Sequence, residues 1–454
     1  MKHARFILSA VLLGALGLAS YDAWAQRADP CAIVGEEIVN VRPPEFDRAL
    51  RWKRTYGVEG EDKIISLVPL ADLGFVAVGM TTPAVKDSVK GTLETKTPLL
   101  YLNRHDKTGK LLWEKRVDIP NLVRVADATV IKDRIVIALD AGKDNATSVH
   151  LISVDGLGNK IGDDVVTSGN KSLSARAIVG DAGGASVTFA ATEISTKKGS
   201  VPVSKLFRRT LKGTGVFERE YLADIPSQFQ DIQKLPDGTM VAVGRARISD
   251  DRMGGWILHI DKKGDIITSQ LFPRGRQAQL NRMALLDDGS WIVSGRIIAS
   301  DTGANSAAWI MRLKAGAEPI WQHYVRGGYN FDGRSIIMLP DGRIQILMDG
   351  MAIAGKDNAG RDHARIVTYT TEGRVSDMES FIEGSNANAH DMIRHGEFRI
   401  LGGRAQTGFS NADKKSDAYN ATYDAWLAGL PLPKELPSKC GSANSDTNML
   451  MDLE

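Results

Sequence analysis

Residues 231–248 read DIQKLPDGTMVAVGRARI, and residues 254–269 read GGWILHIDKKGDIITS. The pattern returns at 282–298 as RMALLDDGSWIVSGRII with AAWIMRLKAGAEPIWQHYVRGG at 307–328, and at 335–350 as SIIMLPDGRIQILMDG with ARIVTYTTEGRVSD at 364–377. Asp237, Asp288 and Asp341 follow one another at intervals of 51 and 53 residues, and Trp256 and Trp309 lie 53 apart. Weaker copies stand at 62–79 with 99–116, 127–140 with 149–161, 175–192 with 204–220, and 389–404 with 423–430. Within each copy, short apolar-alternating segments are separated by Pro-Asp-Gly or Asp-Lys-Lys-Gly turns. Period-two alternation marks half-buried strands, and glycine supplies the positive φ that tight hairpin turns need.

Four antiparallel strands recurring about every 50 residues describe the blade of a β-propeller. The expected fold is all-β: a seven-bladed propeller over residues 48–440. Residues 49–57, ALRWKRTYG, look like a fourth strand without its first three. The last copy, conversely, has its third strand at 424–430, DAWLAGL, and no fourth. The N-terminal strand is therefore expected to close the last blade.

The N-terminus carries a positive start (Lys2, His3, Arg5), an apolar run from Phe6 to about Leu18, and Ala23-Trp24-Ala25. Those are the parts of a secretory signal peptide, so residues 1–25 are expected to be removed, leaving 26–47 as an N-terminal extension. The apolar run is short for a membrane span, which needs roughly 20 residues. The expected location is periplasmic or secreted, with no membrane span after cleavage. In an oxidising compartment the two cysteines, Cys31 and Cys440, are expected to pair, pinning the N-terminal strand beside the last copy. The tail 441–454 is expected to be disordered.

Composition narrows the function classes. Fifty-seven Lys and Arg against 55 Asp and Glu leave a net charge of +2, without the basic excess of a nucleic-acid binder. Hydrophobic residues at 43% and charged residues at 25% are those of a globular chain. Glycine, at 45 residues, fits a chain of many tight turns.

His105-Asp106-Lys107-Thr108-Gly109-Lys110-Leu111-Leu112-Trp113 resembles the quinoprotein-type repeat, in which an Asp-x-x-Thr-Gly-Lys turn precedes a Trp. The repeats as a whole resemble exported bacterial propellers with a D-G-x-x-V-x-G strand pair. The chain lacks the adjacent cysteine pair and the length of quinoprotein dehydrogenases. The resemblance therefore implies the quinoprotein-like branch of propellers without the cofactor site, a group of envelope scaffolds, and no cofactor is expected.

Connections between second and third strands, at 246–254, 298–307, 352–363 and 406–422, read as long loops on one face, where binding residues concentrate. At their mouth Arg245 and Arg296 hold one repeat position. Arg404 is similar but one residue out of step, and Asp349 stands at the equivalent place in the sixth copy. Asp231 and Arg282 share a register at the start of first strands. Guanidinium groups at a channel mouth suit a carboxylate or phosphate; ion pairing between blades is the competing reading. His363, His390 and His395 match no common metal spacing, and no metal site is expected. Ser168-x-x-Lys171 and Ser195-x-x-Lys198 lack the companion motifs of the serine hydrolases that share Ser-x-x-Lys. Trp256, Trp309 and Trp426 read as packing between blades.

The function expected is a non-catalytic binder of an envelope or extracellular protein or a polysaccharide through the long-loop face. The alternative is a periplasmic enzyme acting on a carbohydrate or an oxidisable small molecule, with Asp231 and Asp391 as acid and base.

Overall fold

The computed structural model describes residues 35–40, 52–57, 60–86, 93–95, 97–143, 146–181, 183–195, 200–298, 306–315, 318–326, 328–352, 362–381, 387–409 and 421–434. Cys31, Cys440, the N-terminal apolar run and the C-terminal tail lie outside the described residues, as do Lys198 and most of the connections at 298–307, 352–363 and 406–422.

The described chain is all-β. Two short strands come first, β1 (Glu36–Asn40) and β2 (Trp52–Tyr56). The next strands fall into antiparallel four-stranded sets. The first is β3 (Gly60–Pro69), β4 (Phe75–Lys86) with the short β5 (Leu93–Thr95) on its end, β6 (Leu99–His105) and β7 (Leu111–Val117). The second is β8 (Leu122–Ile131), β9 (Arg134–Lys143), β10 (Ala146–Val154) and β11 (Lys160–Val166). The third is β12 (Lys171–Gly180), β13 (Ser186–Ser195), β14 (Val203–Thr210) and β15 (Gly215–Tyr221). The fourth is β16 (Ser227–Lys234), β17 (Met240–Ser249), β18 (Arg252–Ile260) and β19 (Ile266–Phe272). The fifth is β20 (Gln277–Leu285), β21 (Trp291–Ile298), β22 (Ala307–Leu313) and β23 (Pro319–Arg326). The sixth is β24 (Gly328–Met338), β25 (Ile344–Ala352), β26 (Asp362–Tyr369) and β27 (Val375–Phe381). The last is β28 (Ala387–His395), β29 (Phe398–Phe409) and β30 (Ala421–Pro431). Its fourth strand is β2, which pairs antiparallel with β30 from Trp52↔Gly429 to Tyr56↔Ala425. One pairing was not foreseen: β1 lies parallel on β23 as a fifth strand at the outer edge of its set.

The turns follow from their residues. In Pro-Asp-Gly-Thr, Asp237 Oδ1 accepts from the Thr239 N–H at 2.9 Å and the Thr239 hydroxyl at 2.7 Å, while Gly238 takes φ 84°. A side chain there would meet the left-handed penalty of roughly 1–2 kcal/mol.

The V-x-G glycine has a different cause. Every first strand bulges at a shared position: the register slips after Ile64, Val125, Ala175, Phe229, Leu280, Gly333 and Ala389, with a second slip earlier in β8, after Leu122, and in β24, after Tyr329. The bulge pushes the preceding carbonyl onto the second strand. A Cβ on Gly79, Gly244, Gly295 or Gly403 would lie 1.9–2.0 Å from the carbonyl oxygen of Lys63, Gln228, Gln279 or Asn388. In the sixth set the glycine stands on the first strand instead, as Gly333 opposite Met348.

First strands touch one another in succession, β3 to β8, β12, β16, β20, β24 and β28, and β28 in turn touches β3. Apolar clusters sit between consecutive sets. Trp256 packs with Phe229 of its own set and Ala177 and Leu206 of the set before, and Trp309 with Val241, Ile257 and Phe272 of the set before. Trp426 packs against Ile366 and Phe381 of the set before. All three indoles are fully buried, which fits the packing role expected for them. A further cluster joins Ile400, Ala425 and Leu427 of the last set to Ile64, Phe75 and Tyr101 of the first. Trp52 of β2 lies over that junction, stacked 6.4 Å from both Phe75 and His105.

Candidate functional site

Where the first strands meet, the bulges set two layers of side chains, most of them polar. The inner layer is formed by the residues just after each bulge: Ser66, Asp127, Ala177, Asp231, Arg282, Ser335 and Asp391. The shared register of Asp231 and Arg282 expected from sequence is present, and Asp391 and Asp127 join it.

The three aspartates repeat one arrangement. Oδ1 accepts the N–H of the following residue: Ala128 at 2.8 Å, Ile232 at 2.9 Å, Met392 at 2.9 Å. Oδ2 accepts a backbone N–H of the next set: Ile178 at 3.2 Å, Met283 at 3.0 Å, Leu67 at 2.8 Å. Two hydroxyls complete it, Ser66 to Asp127 and Ser335 to Asp391, each 2.9 Å. Arg282 lies 3.6 Å from Asp231, and Asp127 and Asp391 are near enough for their charges to hold its proton more firmly. Burial pushes the Asp127 carboxyl up to about 6, Arg282 opposing and Asp231 reinforcing the shift. Asp391 also moves up, chiefly through burial.

The outer layer lies two residues before the bulge, and antiparallel pairing puts cross-strand partners on the same face. Its pairs are Lys63↔Met80, Arg124↔Asp140, Ser174↔Thr192, Gln228↔Arg245, Gln279↔Arg296, Asp332↔Asp349 and Asn388↔Arg404. Arg404 is therefore in step with Arg245 and Arg296. Its apparent one-residue offset arises because the β28–β29 turn, Gly396-Glu397, is shorter than the Pro-Asp-Gly turns. Bulge residues Arg176 and Arg334 also reach this level: Arg176 donates to Thr192 Oγ1 at 3.3 Å, and Arg334 stands 3.5 and 3.7 Å from Asp332 and Asp349. Each set thus contributes one cation: Lys63, Arg124, Arg176, Arg245, Arg296, Arg334 and Arg404.

These charges feel one another. Burial lowers the Lys63 ammonium, with Arg404 and Arg124 adding to it and Glu61 opposing. Burial brings Arg176 down to about 10, with Arg124 and Arg245 adding and Asp140 opposing. Arg245 falls through burial and the charge of Arg296. His390, the bulge residue of β28, is brought down to about 3 by burial and then by Arg334, Arg404 and Lys63; at neutral pH its ring carries no charge.

Compensation is uneven. Arg124 pairs with Asp140 at 3.0 Å and Arg334 has its two aspartates. Arg404 lies over the Tyr423 ring at 4.5 Å and donates to Asn388 Oδ1 at 3.3 Å. Arg245 and Arg296 have no carboxylate partner among the described residues, and the buried Nε of Arg245 has no acceptor. A guanidinium so placed is half-desolvated and keeps free donors, the state in which it binds an oxyanion well.

Other expectations resolve structurally. Residues 246–254 are not a loop: Ala246↔Gly254 and Arg247↔Met253 extend the β17–β18 ladder to a turn at Asp250-Asp251. The alternation continues through this stretch, which its polar composition obscured. Ser168 and Lys171 both bond to Glu193, which Lys205 also engages at 2.6 Å, so they form an ion-paired cluster. A cleft of about 680 Å³ between the third and fourth sets has its main charges, Asp181, Arg208 and Lys234, bound to each other. No group of three or more His, Cys, Asp or Glu among the described residues could hold a metal ion.

Lys63, Arg124, Arg176, Arg334 and Asp127 escaped the sequence reading. The V-x-G glycine could have located the bulge beside Lys63. Leu139, Ala191 and Met348 replace it opposite Val125, Ala175 and Gly333, so the same signal is missing in the second, third and sixth sets.

Neither a protein-family model nor a curated protein sequence matches the chain. Among solved structures it is similar to a protein of unknown function from Dyadobacter fermentans, at 10% identity over 85% of this chain and 99% of that one, TM-score 0.46. It is also similar to a puromycin hydrolase, at 13% identity over 78% of this chain and 53% of that one, TM-score 0.47. An α-L-arabinofuranosidase of Fusarium graminearum matches at 8% identity over 83% and 97%, TM-score 0.42. These likenesses are too low for any activity of those proteins to pass to this chain.

Proposed function

We propose that the chain is a seven-bladed β-propeller, exported and closed by β2 in its last blade, that acts as a non-catalytic binding module of the quinoprotein-like kind. The closure reading is supported by the β2–β30 pairing, the Asp391–Leu67 bond and the apolar junction of last and first sets. The binding reading rests on one observation above all: where the first strands meet, every set places a cation in one layer, and Arg245 and Arg296 lack carboxylate partners among the described residues. A protein or polysaccharide partner presenting acidic groups fits that surface.

The enzyme reading would use Asp231 and Asp391. Both oxygens of each carboxylate already accept hydrogen bonds from buried backbone or side-chain donors, which suits blade-to-blade ties better than proton transfer.

The test is capture from an envelope fraction on the immobilised full chain, compared with the R245A/R296A/R404A variant. Loss of the captured partner with an unchanged melting temperature is expected. A collapse of thermal stability would instead make the arginines structural and dismiss the site.

A further inference from the structure

The order of charges around the channel mouth carries the reading further. Following the contacts of the first strands, the cations run Lys63, Arg124, Arg176, Arg245, Arg296, Arg334, Arg404 and back to Lys63. Arg124 is tied to Asp140, Ser174 Oγ and the Ala175 carbonyl, and Arg334 faces Asp332 and Asp349. These two compensated positions separate two arcs of surplus positive charge. One arc is Arg245 with Arg296, flanked by Arg176 and by Gln228 and Gln279 across the ladders. The other is Lys63 with Arg404, where Glu61 is the nearby carboxylate and Tyr423 holds the guanidinium from beneath.

A uniform ring would attract any anion equally around its circumference. Alternating surplus and compensated sectors favour charge at two separated places, and the buried Nε of Arg245, which has no acceptor, strengthens the preference at the first of them because water serves it poorly. We infer that the channel mouth binds a ligand bearing two separated oxyanion groups, one engaged by Arg245 and Arg296 and the other by Lys63 and Arg404. The groups are carboxylates or phosphates, carried on a small polyanion or along an acidic polysaccharide. The inference rests on the binding role proposed above and specifies what the partner presents.

Isothermal titration of the full chain tests it, with inorganic phosphate and galacturonate as single-group probes and tripolyphosphate and tetragalacturonate as multi-group probes. A multi-group probe is expected to bind at least about ten-fold more tightly than its single-group counterpart, the gap narrowing at high salt. The better of the two multi-group probes distinguishes the small polyanion from the sugar chain. R245Q/R296Q and K63Q/R404Q should each erase the gap. Arg219→Gln, an arginine on the exposed face of β15, should leave it intact. R245K/R296K keeps the charge and the fold but loses the bidentate fork, and should fall between. Equal affinity for single- and multi-group probes overturns the inference, as does a gap that survives loss of either pair or falls equally in Arg219→Gln. If the probes show no gap while R245A/R296A/R404A still loses its captured partner, the two-group inference fails and the binding role stands.

Discussion

Asp391 joins the end of the repeat to its beginning, and its removal measures what that junction contributes. The carboxylate accepts the Leu67 N–H at 2.8 Å, the Met392 N–H at 2.9 Å and the Ser335 hydroxyl at 2.9 Å. Leu67 and Met392 are buried, at 4% and 2% exposure, so Asp391→Ala leaves two amides with neither partner nor water. Each such orphan costs roughly 1–3 kcal/mol. Ser335 keeps an acceptor in the Met392 carbonyl at 3.0 Å and adds little. Relief from holding a buried charge offsets part of the loss, since burial already raises the proton affinity of this carboxyl. The net expectation is about 2–4 kcal/mol of destabilisation, with Asp391→Asn, which keeps one carbonyl acceptor, costing about half as much. Equilibrium urea unfolding followed by tryptophan fluorescence reads it, because Trp426 and Trp52 lie in the same set and at its junction with the first. A change of less than about 0.5 kcal/mol for Asp391→Ala, the size of an ordinary surface substitution, would refute the view that this carboxylate ties last set to first.

Two further outcomes are expected. Asp127 has a folded pKa pushed up to about 6 against an ordinary 3.8, so the folded state binds its proton more tightly than the unfolded chain. Its contribution is present in full at the acid end of that window and is lost as pH rises from about 4 through 6; Asp127→Asn should flatten that decline in urea midpoints taken across the window. Gly244→Ala sets a Cβ 2.0 Å from the Gln228 carbonyl and should cost about 1–3 kcal/mol through backbone displacement. Gly289→Ala, with open space around it and φ 79°, should cost only the conformational penalty of about 1 kcal/mol, and thermal melts of the two variants separate the causes.

Much of the strand framework is legible from residue order because its causes are local. Pro-Asp-Gly at 236–238 makes a turn wherever it stands, and alternation in 240–248 declares a strand. Local legibility failed where composition masked the alternation, as at 246–254, and where the bulge glycine was replaced, as at Leu139 and Ala191. The site was only partly legible. Arg245 and Arg296 were visible because both hold one repeat position. Arg176 and Arg334 were not, because a bulge turns a side chain to a layer that even spacing along the strand does not predict.

By itself the sequence determined the period, the hairpin turns, the all-β character and the candidate arginines, since each depends on residues within a few positions of one another. The tertiary structure alone decided which charges share a layer. Arg282 feels carboxylates from three different sets, and Asp391 bonds an amide 324 residues away. Those neighbours follow from how successive twisted sheets pack face to face, a distance relation that no short stretch of sequence encodes. The same packing places Arg245 beside Arg296 and leaves both short of a counter-charge, and the proposed function depends on that placement.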